Sequence, residues 1–207
     1  MFITFEGPEG SGKTTQIRLL VEWLRKHAHD VVLTREPGGT DIGNQIRAVL
    51  HDPHNTAMDA DAEILLYSAD RAQHVAQRIR PALAAGKIVI SDRYADSTLA
   101  YQGYGRRLDM EALRAITAFA TGGLTPDLTL YLDITSEEGL LRKQKGGDEW
   151  NRLDAESPEF HQRVRAGYLE LVTQEPHRWA VIDGDRSVEE VQAEIRALVQ
   201  AKLDVGD

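Results

Sequence analysis

A glycine-rich stretch at the start of the chain has the spacing of a phosphate-binding loop. Residues 7–14 read GPEGSGKT, which fits the pattern G-x-x-x-x-G-K-T, and they lie between a β-rich run and a helical pattern. In such a loop the glycines let backbone N–H groups turn toward phosphates. Lys13 would reach the β- and γ-phosphates of a nucleotide, and the Thr14 hydroxyl could bind Mg²⁺. The alternative is a glycine-rich turn that only joins a strand to a helix.

The same loop carries a carboxylate, Glu9, although a polyphosphate site gains nothing from negative charge. We interpret Glu9 as facing a second ligand; the alternative is a solvated turn residue. Because the loop has no arginine between Gly7 and Gly12, the cation that stabilises phosphoryl transfer is expected from another part of the chain.

Two further stretches place charged side chains just after predicted strands. In TREPGGT (34–40), Arg35 could bind a phosphate through two parallel hydrogen bonds; alternatively, this is a Pro-Gly turn with a surface Arg–Glu pair. In SDRYADSTLAYQGYGR (91–106), Asp92 ends an apolar run, the position of a carboxylate that holds Mg²⁺, and Arg93 stands beside it. The alternative for the second stretch is a capped helix start with solvated polar residues.

Two stretches lie away from the strand ends. In LLYSADR (65–71), Tyr67 and Arg71 are four residues apart on a predicted helix, so a ring and a guanidinium share a face that suits a flat base. Alternatively, the tyrosine fills the core and the arginine is a surface charge. Residues 140–154 carry Arg142, Lys143, Lys145 and Arg152 around two glycines, which indicates a basic, mobile lid or else a solvated loop.

The apolar pattern alternates between short β-type runs and helical repeats. Strands are predicted at 1–6, 31–34, 87–91, 127–134 and 178–183. Helices are predicted from Lys13 onward and at about 59–85, 109–121, 157–174 and 187–203. Strands of nearly continuous Val, Ile and Leu separated by helices predict an α/β fold with three layers, a five-stranded parallel sheet flanked by helices on both faces. Ligands bind such sheets at the carboxyl ends of the strands.

Composition narrows the class of protein. The chain has 207 residues, a net charge of −9 and no cysteine, and we expect one domain spanning 1–207. An acidic chain is a poor nucleic-acid binder, so any phosphate site needs locally placed cations. The sequence has no long apolar run and no signal-peptide pattern, which predicts a cytoplasmic protein that does not bind membranes.

The motifs together resemble the bacterial thymidylate kinase family, which has a P-loop kinase fold. The resemblance rests on FEGPEGSGKTT, TREPGGT, LLYSADR, SDRYADSTLAYQG and NRLDAES in this order, and it covers nearly the whole chain. It implies phosphorylation of dTMP to dTDP, a step toward dTTP, with ATP as donor, Mg²⁺ as cofactor and a homodimer as the assembly.

The resemblance also implies roles for individual residues. The contacts to ATP would be Gly7, Pro8, Glu9, Gly10, Ser11, Gly12, Lys13, Thr14, Thr15 and Arg186. The contacts to dTMP would be Glu9, Arg35, Tyr67, Arg71, Arg93, Thr98, Tyr101 and Gln102, with Glu9 accepting a hydrogen bond from the 3′-hydroxyl. The catalytic residues would be Lys13, Asp92, Arg93, Arg142 and Arg152, and the metal would be held by Thr14 and Asp92.

One position departs from the family pattern. Family members often have Asp-Arg where this chain has Asn151-Arg152, so two alternatives stay open: the acidic partner of Arg152 is lost, or Asp148 or Asp154 replaces it. Two other classes stay open at this point: another small-molecule kinase on the same fold, and a non-catalytic GTPase-like switch. The lack of an N-K-x-D guanine-reading stretch argues against the switch.

Overall fold

One parallel sheet positions the candidate site. The computed structural model describes residues 1–146 and 151–206. Its strands are β1 (Phe2–Glu6), β2 (Val31–Arg35), β3 (Ile88–Asp92), β4 (Leu128–Asp133) and β5 (Trp179–Asp183). They lie in the order β2-β3-β1-β4-β5, and every neighbouring pair is parallel. The five predicted strands are confirmed to within a residue at each end.

Helices connect the strands and cover both faces of the sheet. They are α1 (Lys13–Lys26), α2 (Asp41–His51), α3 (Ala60–His74), α4 (Arg80–Ala84), α5 (Ala95–Thr98), α6 (Met110–Thr121), α7 (Ser136–Gly146), α8 (Pro158–Gln174) and α9 (Val188–Gly206). Two π-helical segments, Val75–Ile79 and Leu99–Gly105, continue α3 and α5. Helices α1 and α9 pack on one face around Leu20 and Ile195, and α8 packs on the other through Tyr168. The predicted three-layer α/β fold is confirmed.

The predicted helix at 59–85 is divided in the structure. Its first part is α3, its middle is the π-helical segment Val75–Ile79, and its end is α4. Pro81 lies in the first turn of α4. Because proline has no N–H and crowds the preceding turn, a regular α-helix cannot run through this position undisturbed.

Three helices were not predicted as helices. Helix α2 follows the TREPGGT stretch, and the Thr40 side chain caps it by accepting from Gly43 N at 2.9 Å. Helix α5 and its π-helical extension occupy the stretch after Asp92. Helix α7 contains residues 140–146 of the predicted lid, which therefore starts as a helix rather than a loop. Within the described ranges, no helix combines the length and apolar character needed to span a membrane.

Candidate active site

The glycine-rich loop joins β1 to α1 and holds its lysine inward. Gly10 and Gly12 adopt positive φ angles of 68° and 89°, a region that favours glycine. Lys13 is buried, and its Nζ donates to the carbonyls of Gly7 at 3.0 Å and Pro8 at 2.8 Å. Burial, together with the positive charge of Arg93, lowers the pKa of Lys13 to about 8. The ammonium therefore lies against the carbonyls of its own loop, and its contact with phosphates stays a prediction.

Arg93 is the central cation of the site. It follows Asp92 at the end of β3 and has a φ of 69°, which is uncommon for a residue with a side chain. Its Nη2 donates to Glu9 Oε1 at 2.6 Å and to the Tyr101 hydroxyl at 3.0 Å. Glu9 of the phosphate loop thus contacts an arginine that follows the neighbouring strand β3. The alternative that Glu9 is a solvated turn residue is therefore wrong.

Glu9 also approaches α7, the helix that contains the start of the predicted lid and is called the lid helix below. Its Oε2 lies 3.6 Å from Nζ of Lys143, a buried residue of α7. Burial raises the pKa of Glu9, but the positive charges of Arg93, Lys13 and Lys143 outweigh it, and the net effect is a pKa well below the ordinary value. Glu9 is therefore ionised and bridges two cations, one from β3 and one from the lid.

Behind Arg93 lies a second, fully buried carboxylate. Glu6 ends β1 and accepts hydrogen bonds from Tyr94 N at 2.9 Å, Ser97 Oγ at 2.6 Å and the Tyr168 hydroxyl at 2.7 Å. Arg93 Nη1 lies 4.0 Å from it. Burial is the largest influence and raises the pKa of Glu6 to about 7, although Arg93 opposes the shift.

This shift predicts a pH dependence of stability that Glu6→Gln should remove. The folded chain holds the Glu6 proton up to about pH 7, whereas the unfolded chain releases it near 4.5. Folding thus takes up a proton between these values, and the wild-type free energy of unfolding falls as pH rises through that window. Glutamine cannot ionise, so the stability of the variant relative to wild type should rise by about 3 kcal/mol from pH 4.5 to pH 8.

Urea unfolding of both proteins at several pH values measures this difference. Asp70, whose pKa burial also raises to about 7, is present in both proteins, so its contribution cancels. A stability difference that stays constant with pH would show that Glu6 titrates normally.

The predicted base-stacking pair lies on α3. Tyr67 and Arg71 are both buried and both line the cavity described below. Arg71 donates to Glu36 Oε2 at 2.7 Å and to Thr98 Oγ1 at 2.8 Å. Glu36 also contacts His74 Nδ1 at 2.8 Å, so the alternative of a surface Arg35–Glu36 pair is wrong. Glu36 belongs to the site, and the sequence indicated it only through its place beside Arg35.

Two arginines face the space between the loop and α3. Arg35, at the end of β2, is exposed, and Arg47 donates through Nη1 to the carbonyl of Pro37 at 2.9 Å. Burial, with the charge of Arg35 second, lowers the pKa of Arg47 from its ordinary value. Sequence reasoning missed Arg47 because it lies in α2, a helix that no motif marked.

The lid helix reaches the site through Arg142. Its Nε donates to Glu138 at 2.8 Å, its Nη1 to the carbonyl of Gly184 at 2.9 Å and its Nη2 to Asp185 at 2.7 Å. Arg142 therefore ties α7 to the turn after β5 while it lines the cavity.

The lid helix also packs tightly on the phosphate loop at a pair of glycines. A Cβ added at Gly139 would overlap the carbonyl of Glu9, and one added at Gly10 would overlap the carbonyl of Gly139. Gly139→Ala should therefore push α7 away from the loop and lower kcat/KM by about tenfold, since small displacements of reacting groups are costly. Steady-state kinetics checks this against Gln144→Ala, an exposed position of the same helix. Equal activity of the two variants would show that the contact does not matter.

Four predicted site residues are not among those that line the cavity: Gly7, Pro8, Arg152 and Arg186. Arg152 is buried, donates through Nε to the carbonyl of Leu50 at 3.2 Å and forms an ion pair with Glu63. The expected partner Asp154 instead binds Lys143 Nζ at 2.6 Å. Asp148, the other expected partner, lies outside the described residues.

Arg186, predicted near ATP, is exposed and forms an ion pair with Glu194 of α9. It lies past the end of β5 and is not among the residues that line the cavity. The adjacent Gly184–Asp185 turn, which Arg142 contacts, is the part of this segment that the structure connects to the site.

One cavity of about 480 Å³ joins these groups. The other predicted residues of the loop, β3 and α5 also line it: Glu9, Gly10, Ser11, Gly12, Thr14, Thr15, Asp92, Arg93, Thr98, Tyr101 and Gln102. Seven lysines and arginines line the cavity against three carboxylates, although the whole chain has a charge of −9. The cavity therefore has a local excess of positive charge, which an acidic chain needs in order to bind an anionic ligand.

The cavity also contains oxygen ligands suited to Mg²⁺. The Thr14 hydroxyl and the Asp92 carboxylate both line it. Among the described residues no group of three His, Cys, Asp or Glu side chains forms a dedicated metal cluster. This pair fits magnesium, because proteins commonly hold Mg²⁺ by one or two side chains while the substrate phosphates supply further ligands.

A glycine-rich loop between a strand and a helix, a lysine within it and an acid at the end of a parallel strand define a P-loop phosphotransferase. The family model described as Thymidylate kinase matches residues 5–195. The chain belongs to the thymidylate kinase family, and it is a kinase.

Individual relatives agree with the family assignment. The chain is 55% identical over 214 residues to a thymidylate kinase from Roseiflexus sp. (strain RS-1), covering 98% of this chain and 95% of the relative. It is 49% identical to one from Desulfovibrio desulfuricans, covering 98% and 96%. The crystal structure of thymidylate kinase from Ehrlichia chaffeensis superposes with a TM-score of 0.78 at 36% identity, covering 97% of this chain and 98% of that one.

Proposed function

We propose that the cavity holds dTMP beside the glycine-rich loop and that the chain transfers the γ-phosphoryl group of ATP to it, forming dTDP and ADP. The observation that carries the proposal is the meeting of two sets of residues in one cavity. The phosphate loop with Lys13 lines the cavity, and so do Tyr67 and Arg71 from α3. Arg93 lines the same cavity and donates to Glu9 of the loop.

The reaction requires positioning and charge neutralisation more than a strong base. An oxygen of the dTMP phosphate forms a bond to the γ-phosphorus as the bond from that phosphorus to the bridging oxygen of ADP breaks. Because the dTMP phosphate is already anionic, it needs cations that let it approach ATP. Arg35 and Arg93 match its geometry through paired hydrogen bonds, which a lysine would not provide.

The lid supplies the remaining positive charge. Arg142 and Lys143 line the cavity from α7, and Lys143 Nζ lies 3.6 Å from Glu9 Oε2 of the phosphate loop. Their approach to the transferring phosphoryl group would stabilise its charge and exclude water that could hydrolyse ATP. Mg²⁺, bound by Thr14 and Asp92 with the nucleotide phosphates, would neutralise charge on the β- and γ-phosphates. The cation that the phosphate loop lacks is thus assigned to the lid.

Glu9 serves the second substrate in this proposal. As an ionised carboxylate next to Arg93, it holds that arginine toward the phosphate of dTMP and accepts a hydrogen bond from the 3′-hydroxyl. Thymine stacks on Tyr67 and hydrogen-bonds to Arg71, and Thr98, Tyr101 and Gln102 complete the nucleoside pocket, all of which line the cavity.

The wider organisation is also a proposal. One continuous sheet supports a single domain over 1–207 with a lid at about 140–154. Exposed apolar side chains on the neighbouring helices α3 and α6, Leu65 and Phe119, support a homodimer, which light scattering can test. Cytoplasmic location and the absence of nucleic-acid and membrane partners stay predictions from composition.

A panel of nucleoside monophosphates tests the function. With Mg-ATP, ADP formation should be fastest with dTMP, and dTMP should raise the Tm most because the best ligand of the native state stabilises it most. Equal turnover with dCMP, AMP and GMP would favour a different small-molecule kinase. A preference for GTP over ATP without phosphoryl transfer would favour a nucleotide-binding switch.

A further inference from the structure

A buried carboxylate on α3 contacts the nucleoside pocket from behind. Glu63 is 1% exposed and lies outside the cavity. Its Oε1 accepts from Gln102 Nε2 at 2.7 Å and from Arg106 Nε at 3.2 Å. Its Oε2 accepts from Arg106 Nη2 at 3.1 Å and pairs with Arg152. None of the roles assigned above uses Glu63.

The carboxylate is ionised and its position is fixed. Burial raises the pKa of Glu63, yet hydrogen bonds from Arg106, Gln102 and Arg152 outweigh it, so the net pKa is lower than usual. Its partners come from three parts of the fold: the π-helical extension of α5, the turn after it and the end of the proposed lid, where Arg152 lies. A carboxylate held from three sides cannot turn away from Gln102.

This arrangement determines which amide atom Gln102 can present. Gln102 is 2% exposed and lines the cavity, and its Nε2 is turned to Glu63. Rotating the amide by half a turn would place Oε1 against the carboxylate, two acceptors with no proton between them. None of the described residues donates a hydrogen bond to Oε1 in the observed orientation. The cavity therefore receives a hydrogen-bond acceptor from Gln102.

We propose that Glu63 is a positioning residue that fixes Gln102 as an acceptor, so that the pocket selects pyrimidines with a protonated N3. Thymine and uracil carry an N3–H group that can donate to Oε1 of Gln102. N3 of cytosine is an acceptor, so it would face Oε1 with no proton between them. Arg71, which lines the same cavity, offers donors that match the carbonyl O4 of thymine and oppose the amino group of cytosine. The inference rests on the proposed function, since it assumes that the base lies in this part of the cavity.

The test is the ratio of kcat/KM for dTMP to kcat/KM for dCMP. Glu63→Gln keeps the shape but can donate a hydrogen bond to Gln102 Oε1, which allows the amide to turn. The ratio should fall at least about tenfold, the worth of one neutral hydrogen bond. Glu63→Asp keeps the charge but shortens the side chain, so it should also lower the ratio. It replaces Glu63→Gln in the test if that variant folds poorly.

Two control variants distinguish a loss of Gln102 positioning from a general loss of stability or activity. Arg106→Gln removes a cation from the same carboxylate but leaves the Glu63–Gln102 hydrogen bond, so it should lower the Tm while leaving the ratio within about twofold of wild type. In a Gln102→Leu background, Glu63→Gln should cause no further loss of the ratio, because its effect passes through the amide.

The results distinguish two failures. If wild type does not prefer dTMP, the proposed function is wrong. If wild type prefers dTMP and Glu63→Gln keeps the full ratio, or loses it equally in the Gln102→Leu background, the positioning role is wrong.

Discussion

Arg93→Ala is expected to lower kcat by about 10³-fold or more, the scale on which an arginine contributes to phosphoryl transfer. Arg93 contacts both Glu9 of the phosphate loop and Tyr101 of the proposed nucleoside pocket. Arg93→Lys keeps the charge but loses the planar pair of donors, so its activity should lie between those of wild type and the alanine variant.

The loss must be separated from a loss of folding. Arg93 is half-buried among several partners, so urea unfolding should accompany the kinetics for both variants. Arg114→Ala, an exposed arginine on α6, is a matched control that should keep wild-type rates. If a folded Arg93→Ala protein retained more than a tenth of the wild-type kcat, Arg93 would not contact the reacting phosphates.

The second large effect concerns the two arginines of the lid. Arg142→Ala is expected to lower kcat by about 10²-fold or more with little change in the KM for dTMP, because it removes a cation that acts on the transition state. Arg152→Ala should act differently, since Arg152 pairs with Glu63 outside the cavity. Its main effect should be a loss of about 1–3 kcal/mol in the free energy of unfolding, the cost of a buried group left without a partner.

Rate and stability measurements on the same pair of variants test this division. Arg142 is partly exposed, so its alanine variant should unfold at nearly the wild-type urea concentration. If Arg152→Ala lost kcat without losing stability, Arg152 rather than Arg142 would be the catalytic arginine of the lid. If both variants kept the wild-type kcat, the lid would not supply a catalytic cation.

The strands and the phosphate loop could be predicted because their signals are local. Unbroken apolar runs mark strands buried on both faces, and the spacing from Gly7 to Thr14 marks the glycine-rich loop that joins β1 to α1. Parallel topology then places Arg35 and Asp92 side by side, as the register of β2 and β3 confirms. This much of the site follows from the order of residues alone.

The buried ionic partners could not be predicted, because they depend on contacts between residues far apart in the chain. Glu36 joins Arg71 across 35 positions, and Arg152 joins Glu63 across 89. Sequence spacing indicates only partners that are close in the chain, and for this reason it suggested Asp154 as the acidic partner of Arg152. In the structure Asp154 binds Lys143 instead, and the lysine brings the lid helix toward Glu9.

The most direct test of the account is a crystal structure of the protein with a bisubstrate dinucleotide that links adenosine to thymidine through phosphates. We predict that the phosphates lie on the glycine-rich loop with Lys13, that the thymidine end contacts Arg93, and that thymine lies against Tyr67. A thymidine bound outside this cavity, or a phosphate chain that does not contact Lys13 or Arg93, would contradict the central claim that one cavity holds both substrates for direct transfer.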